Sequence, residues 1–161
     1  MTGPEAFVTM ACAVAVGTDL AWGKIPNWLT FSMVIVGVVN NVMLGQPLVG
    51  FIGVLAAFAI HLPLYALGVE KGGDAKLLIG IAAVVGWSPM VETTIWRYAL
   101  MLPVGLLVLT VMGKLPNLVA NLRWLSQGRT GPRPPVTWMP FAPVIFGAWL
   151  VAVFTSWAEI R

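Results

Sequence analysis

Asp19 and Asp74 are the residues of this chain best suited to chemistry. Each stands where a long apolar stretch meets a short polar turn, in the runs DLAWGKIPNWLT and EKGGDAKLL. A carboxylate at or near a membrane span is costly, and it is found there chiefly when it pairs, reaches water or reacts. Asp and Glu together number only 6 in 161 residues, so these two acids have few rivals. Two carboxyl groups held close cannot both ionise cheaply, so such a pair shares a proton and supplies one base and one acid. In peptide hydrolysis the base deprotonates a water while the acid hydrogen-bonds the scissile carbonyl, and the roles exchange as the amine leaves. No metal or nucleophilic side chain is required. Cys12 and His61 are the only cysteine and histidine, so one chain can build neither a disulfide nor a Cys/His zinc site. No cofactor and no metal are expected. Taken singly, each aspartate has a plainer explanation, since an Asp before AKLL caps a helix and suits the positive end of its dipole.

The elements that must position these acids are membrane helices. Hydrophobic residues make up 59% of the chain and charged residues 9%, with a mean hydropathy of +0.91, far from the balance of a soluble domain. The expected fold is an all-α membrane protein of about six transmembrane helices, since each crossing takes about 20 apolar residues. The candidate spans are 5–22, 28–44, 48–68, 75–90, 92–113 and 139–157. Pro26-Asn27, Gly45-Gln46-Pro47, Gly72-Gly73 and Ser88-Pro89 are the expected breaks between consecutive helices. The first apolar stretch follows Glu5, with no basic residue before it and no small-residue cleavage site after it, and reads as a retained span. The one long connector, 114–138, contains LPNLVANLRWL, a candidate amphipathic interfacial helix, followed by GRTGPRPP. No separate soluble domain is expected; residues 1–161 read as one membrane domain.

Charge assigns the sides. Lys24, Lys71, Lys76, Lys114, Arg123, Arg129 and Arg133 fall on one surface and Arg97 and Arg161 on the other, so the crowded surface is cytoplasmic and both termini are non-cytoplasmic. The net charge of +3 belongs to this orientation and not to a nucleic-acid partner. Parity then matters. Asp19 ends the first span and Asp74 begins the fourth, so an even number of crossings returns the chain to the same surface and lets the two acids meet.

The motifs carry a family resemblance. The run from Asp19 through Ile25-Pro26-Asn27 to Thr30 resembles the first-aspartate motif of type IV prepilin peptidases. Gly72-Gly73-Asp74-Ala75-Lys76-Leu77-Leu78 resembles their second, the Gly-x-Gly-Asp element followed by x-Lys-Leu. Met139-Pro140-Phe141-Ala142-Pro143 is similar to a Pro-Phe-x-Pro element of that family, so the resemblance runs over almost the whole chain. It implies an intramembrane aspartic protease that removes the short basic leader from type IV pilin-like precursors on the cytoplasmic side of a bacterial inner membrane, with Asp19 and Asp74 as the catalytic pair. Two departures stand out. Lys71 occupies the first motif glycine, leaving Gly72 and Gly73 to supply flexibility. The turn at 23–27 has no room for the Cys-x-x-Cys insert of the larger bifunctional members, which points to the short, peptidase-only form associated with tight-adherence (Flp) pili and against methyltransferase activity.

Other residues have simpler readings beside functional ones. Lys76 either sets topology or favours an ionised carboxylate and contacts substrate. Glu70 either binds the basic leader or is a solvated loop charge. Asn27 caps the second helix after Pro26, with substrate contact a secondary role. His61, two residues before Pro63, is expected to hydrogen-bond a carbonyl freed by that proline. Trp22, Trp28, Trp87, Trp138 and Trp157 read as interfacial residues. The expected partners are pilin-like precursors, entering laterally, and the lipid bilayer. The alternatives are a small proton-coupled transporter using the same acids, disfavoured by their clustering at one surface and by the lack of an internal repeat, and a noncatalytic scaffold, which leaves both motifs unexplained.

Overall fold

The structure is a computed structural model that describes residues 1–66, 70–128 and 140–159. These form seven helices: α1 Gly3–Trp22, α2 Asn27–Met43, α3 Pro47–Ala66, α4 Gly72–Val85, α5 Trp87–Val111, α6 Leu115–Ser126 and α7 Ala142–Glu159. No strand occurs among the described residues. Three helices, α1, α3 and α5, are long and apolar enough to cross a membrane, while α2 and the Ala142–Thr155 part of α7 are shorter apolar helices.

Local chemistry sets the boundaries. At the start of α1, Thr2 Oγ1 accepts from the Glu5 N–H and Glu5 Oε2 accepts from the Thr2 N–H, a reciprocal cap that satisfies two otherwise orphan donors. Gly23, at φ +67°, ends the helix in the left-handed region, where its N–H donates to the Asp19 carbonyl and a missing Cβ removes the steric cost. The break between α4 and α5 falls at Gly86, not at Ser88-Pro89. Gly86 sits at φ +89°, whereas Pro89 lies in the first turn of α5, where a missing N–H costs nothing. The LPNLVANLRWL run is helical, as α6. The stretch 129–138, including most of GRTGPRPP, Trp138, Arg129 and Arg133, lies outside the described residues, as do Met139 and Arg161.

α4 is the hub. Every residue from Leu77 to Val84 is buried, together with Asp74 and Ala75, because α1, α2, α3 and α5 all pack around it. At 14 residues it is about 21 Å long, at 1.5 Å per residue. Its neighbours approach through glycine: a Cβ on Gly37 would lie 2.6 Å from the Ala83 carbonyl carbon, and one on Gly53 would overlap the Ala82 carbonyl. Small residues at such crossings let helix backbones touch where no water is present to drive association. Close approach also lets Asn41 Nδ2 donate to the Ala83 and Val84 carbonyls at 3.0 and 3.2 Å, acceptors that the last turn of a helix leaves unsatisfied. α7 closes the other side against α5 and α1, and buried Trp149 donates from Nε1 to Thr9 Oγ1 at 2.9 Å.

Gly53→Val and Gly37→Val should each destabilise the fold by about 1–3 kcal/mol or more, since the clash is with backbone that cannot rotate away. Gly17→Ala, which meets nothing within 4 Å, should not. Thermal unfolding in detergent checks this, and equal melting temperatures for all three variants would contradict the close packing.

Candidate active site

Asp19 lies in the last turn of α1 and is only 5% exposed. A carboxylate at a helix C-terminus faces the negative end of the dipole, so a compensating donor is needed. Ala142, the first residue of α7, supplies it: its N–H donates to Asp19 Oδ2 at 3.0 Å. The flanking prolines of Pro140-Phe141-Ala142-Pro143 begin α7 at this point, and the positive end of its dipole faces the carboxylate.

Asp74 is the third residue of α4 and is 3% exposed, facing the favourable end of its own helix dipole. Lys71 precedes α4 with φ −86° and ψ 149°, an ordinary extended conformation that a lysine adopts without strain, so losing a glycine there leaves the turn intact. Its ammonium lies 5.1 Å from the centre of the Phe141 ring, which links the second motif to the start of α7. Gly72 and Gly73 form the first turn. A Cβ at Gly72 would press on the Tyr65 ring at 3.3 Å and one at Gly73 would meet Ile25 at 3.4 Å, so Gly73 seats the Asp74 turn against the Ile25-Pro26-Asn27 motif.

The two aspartates open onto one cavity of about 480 Å³, which is also lined by residues 22–27, Lys71, Gly73 and Lys76. Both motifs thus converge on one space, with the turn between α1 and α2 on one side and the start of α4 on the other. A second cavity, of about 250 Å³, lies toward the opposite ends of these helices and includes Glu5 and Glu92; Glu5 is already engaged in the α1 cap. Among the described residues, no group of three or more His, Cys, Asp or Glu side chains could hold a metal ion.

Asn27 and Lys76 differ from expectation. Asn27 makes no capping bond to α2; its Oδ1 accepts from Lys76 Nζ at 3.0 Å. The first residue of α2 is therefore tied to the first turn beyond Asp74, and Lys76 is directed across the cavity wall by this bond.

Glu70, Arg97 and His61 form a buried group, although the sequence pattern disperses them. Glu70 is 5% exposed and is no solvated loop charge. Its Oε1 accepts from Arg97 Nη1 and, at 2.9 Å, from the Tyr98 hydroxyl. Its Oε2 lies 2.9 Å from His61 Nδ1. Arg97 is 2% exposed, in the middle of α5, and is not an outer-surface charge; its Nη2 lies 3.5 Å from Asp74 Oδ2. His61 does not serve a carbonyl freed by Pro63, for its partners are Glu70 and Thr94, whose Oγ1 stands 3.3 Å from Nε2. Arg97 is the signal in the sequence that points to this group: an arginine within an apolar helix needs a buried partner, and Glu70 is the acid nearest the second motif. Trp22, Trp28 and Trp87 are exposed at helix ends, as an interfacial reading requires.

Residues 6–109 match the sequence pattern of the type IV leader peptidase family. The chain belongs to the type IV leader peptidase family. That match contains Asp19, Asp74, Glu70 and Arg97 and ends before the Pro140–Pro143 element. Family membership makes the protein a leader-peptidase-like protease with pilin precursors as the kind of substrate, and it gives no support to a transporter. α1 and α2 are separated only by residues 23–26, consistent with the short, peptidase-only form. No curated protein and no solved structure matches the chain.

In this leader-peptidase fold, burial alone would raise the Glu70 carboxyl, but the His61 hydrogen bond, the Arg97 and His61 charges and the Tyr98 hydroxyl hold it below its ordinary value of 4.5. A group whose pKa is lower folded than unfolded stabilises the fold above its unfolded pKa, and this contribution is lost as pH falls through the folded value. Melting temperature in detergent should therefore fall on acidification below about pH 4.5, the ordinary value. Glu70→Gln should melt lower at neutral pH and show a weaker acid dependence. An unchanged acid limb in that variant would remove Glu70 from this role.

Proposed function

We propose that the protein is an intramembrane aspartic endopeptidase that removes the leader from type IV pilin-like, Flp-type precursors at the cytoplasmic face of the bacterial inner membrane. The observation that carries this reading is the single cavity onto which Asp19 and Asp74 both open. A water held between the carboxyl groups gives its proton to the ionised aspartate as it attacks the scissile carbonyl, while the protonated aspartate hydrogen-bonds the carbonyl oxygen. The tetrahedral intermediate then collapses, the amine leaves with the proton that the first aspartate took, and the dyad returns to its singly protonated state. The α7 N-terminus steadies Asp19 through the Ala142 N–H, so positioning costs no rearrangement during turnover.

The substrate's two halves suit the two environments. Its apolar segment enters laterally from the bilayer, and its basic leader stays on the aqueous side, where Asp19 and Asp74 must outweigh the repulsion from Lys24, Lys71 and Lys76 around the cavity. Glu70, enclosed by Arg97, His61 and Tyr98, acts on position and not on the leader. Gly72, Gly73, Asn27 and Lys76 shape the cavity wall. Residues 1–161 work as one membrane domain with six crossings, α6 lying at the interface and both termini non-cytoplasmic.

Cleavage of a pilin precursor by the purified protein in detergent tests the dyad. Asp19→Ala and Asp74→Ala should each lower the rate at least about 100-fold, the scale of general acid–base catalysis. Either variant cutting at the wild-type rate would refute the mechanism. Single cysteines at exposed positions near 19 and 74, in a background lacking Cys12, should both label from the cytoplasmic side in oriented membranes. Labelling from opposite sides would refute the topology.

A further inference from the structure

Arg97 places a cation beside Asp74 from an element that carries neither aspartate. Its guanidinium divides between two acids: Nη1 donates to Glu70 Oε1, and Nη2 faces Asp74 Oδ2 at 3.5 Å. Glu70 is the better bound of the two, since the Tyr98 hydroxyl and His61 Nδ1 also hold it, each at 2.9 Å. His61 is fixed in turn beside Thr94, whose hydroxyl donates to the Met90 carbonyl at 2.9 Å. The chain of contacts runs from His61 on α3 to Glu70 just ahead of α4, then to Arg97 on α5, and from Arg97 to the Asp74 carboxylate in the first turn of α4. Asp74 Oδ2 is buried without a hydrogen-bond partner among the described residues, and so is Arg97 Nε. Buried polar atoms are seldom left so. The guanidinium is therefore close enough to orient and charge-balance Asp74 through Oδ2, while the Asp74 residue still lines the cavity it shares with Asp19.

Burying an ion pair seldom repays its desolvation, and well-packed apolar residues of similar volume commonly serve stability as well or better. Fold stability alone is thus a weak reason for Arg97, Glu70 and His61 to occupy this place. We propose that Arg97 is a positioning residue of the peptidase: Glu70 and His61 hold its guanidinium so that it orients the Asp74 carboxyl and sets the charge balance of the Asp19–Asp74 pair. This inference rests on the aspartic dyad proposed above. The charged and titratable groups around Asp74 are Asp19 on α1, Lys24 in the turn lining the same cavity, His61 on α3, Arg97 and Tyr98 on α5, and Glu70, Lys71 and Lys76 along its own segment. Of these, Arg97 and Glu70 are the oppositely charged pair whose removal can be made separately.

The test is the pH dependence of precursor cleavage by the full-length protein in detergent, with kcat and KM measured for wild type, Arg97→Gln, Arg97→Lys, Glu70→Gln and the double Gln variant. A dyad active when singly protonated gives a bell-shaped profile. Removing the cation in R97Q should move the whole bell to higher pH, and removing the anion in E70Q should move it to lower pH. The double variant should return it near the wild-type position. R97Q should also lose at least about 10-fold in kcat with KM within about twofold, because the affected interaction belongs to the reacting group and not to substrate binding. Arg97→Lys keeps the charge but cannot span both acids, so it should keep the bell and lose about fivefold in kcat. Bells that stay at the wild-type pH in both single Gln variants, or that move in the same direction, would overturn the proposal. Should R97Q fail to fold, as judged by melting temperature, Arg97→Lys decides: wild-type kcat in that variant would overturn it. If Asp19→Ala and Asp74→Ala cleave normally, the dyad itself has failed. If they are inactive while Arg97 and Glu70 variants match wild type in kcat and bell position, this inference alone has failed.

Discussion

Asp74 sits at the end of a helix enclosed by four others, and in the proposed mechanism it must stay reactive where water and bulk dielectric give it little help. The cost of charge in such a place is the constraint on which the surrounding structure depends. Three devices meet it. Asp74 takes the first turn of α4, at the favourable end of that helix's dipole. Arg97 reaches it from α5, held by Glu70. The cavity shared with Asp19 lets the acid face an open space instead of apolar packing. None of these would hold if α4 could move, and the glycine crossings at Gly37 and Gly53, with Asn41 on the carbonyls of its last turn, fix it against α2 and α3.

Asp19 meets the same constraint differently. It ends its helix, where the dipole is unfavourable, and takes its stabilising donor from a residue more than a hundred positions away, the Ala142 N–H. Lys71 over the Phe141 ring draws the second motif to that same helix start. The N-terminus of α7 is thus common ground between the two aspartate motifs. This gives the Pro140–Pro143 element a physical role, because its prolines begin the helix where both motifs can reach it.

Much of this is legible in the sequence, for reasons that particular residues make plain. Apolar runs and turn residues locate the helices to within a few positions, because a helix in lipid must satisfy its backbone internally and leaves a long unbroken signature. Parity can bring Asp19 and Asp74 to one surface because it needs only the number of crossings. What is not legible depends on side-chain reach. Asn27 has the local pattern of a cap, yet its oxygen is taken by Lys76 from another helix. Pro89 has the pattern of a break because proline punctuates sequence so strongly, while Gly86, which supplies the positive φ, carries the true one. Counting charges along the chain sends Arg97 to the outer surface, because such a count treats every arginine as a loop residue. Its burial depends on Glu70, 27 residues earlier, and the only sign of that pair in the sequence is an arginine set within an apolar helix.

The burial of Arg97 also bears on how topology should be read in so short a chain. Charge bias is a vote among exposed residues, and a cation that neutralises a buried acid has no vote. Removing Arg97 leaves the asymmetry intact, since Lys24, Lys71 and Lys76 all line the cavity that holds the aspartates. Those three cations sit in two connecting turns and at the start of α4, so they mark the surface on which the site opens. The basic residues of this protein therefore divide by their surroundings: three line the cavity that holds the aspartates, and one, enclosed at 2% exposure, belongs with the acids whose charge it balances. A buried cation in an apolar chain is better asked which carboxylate it serves than which side of the membrane it faces.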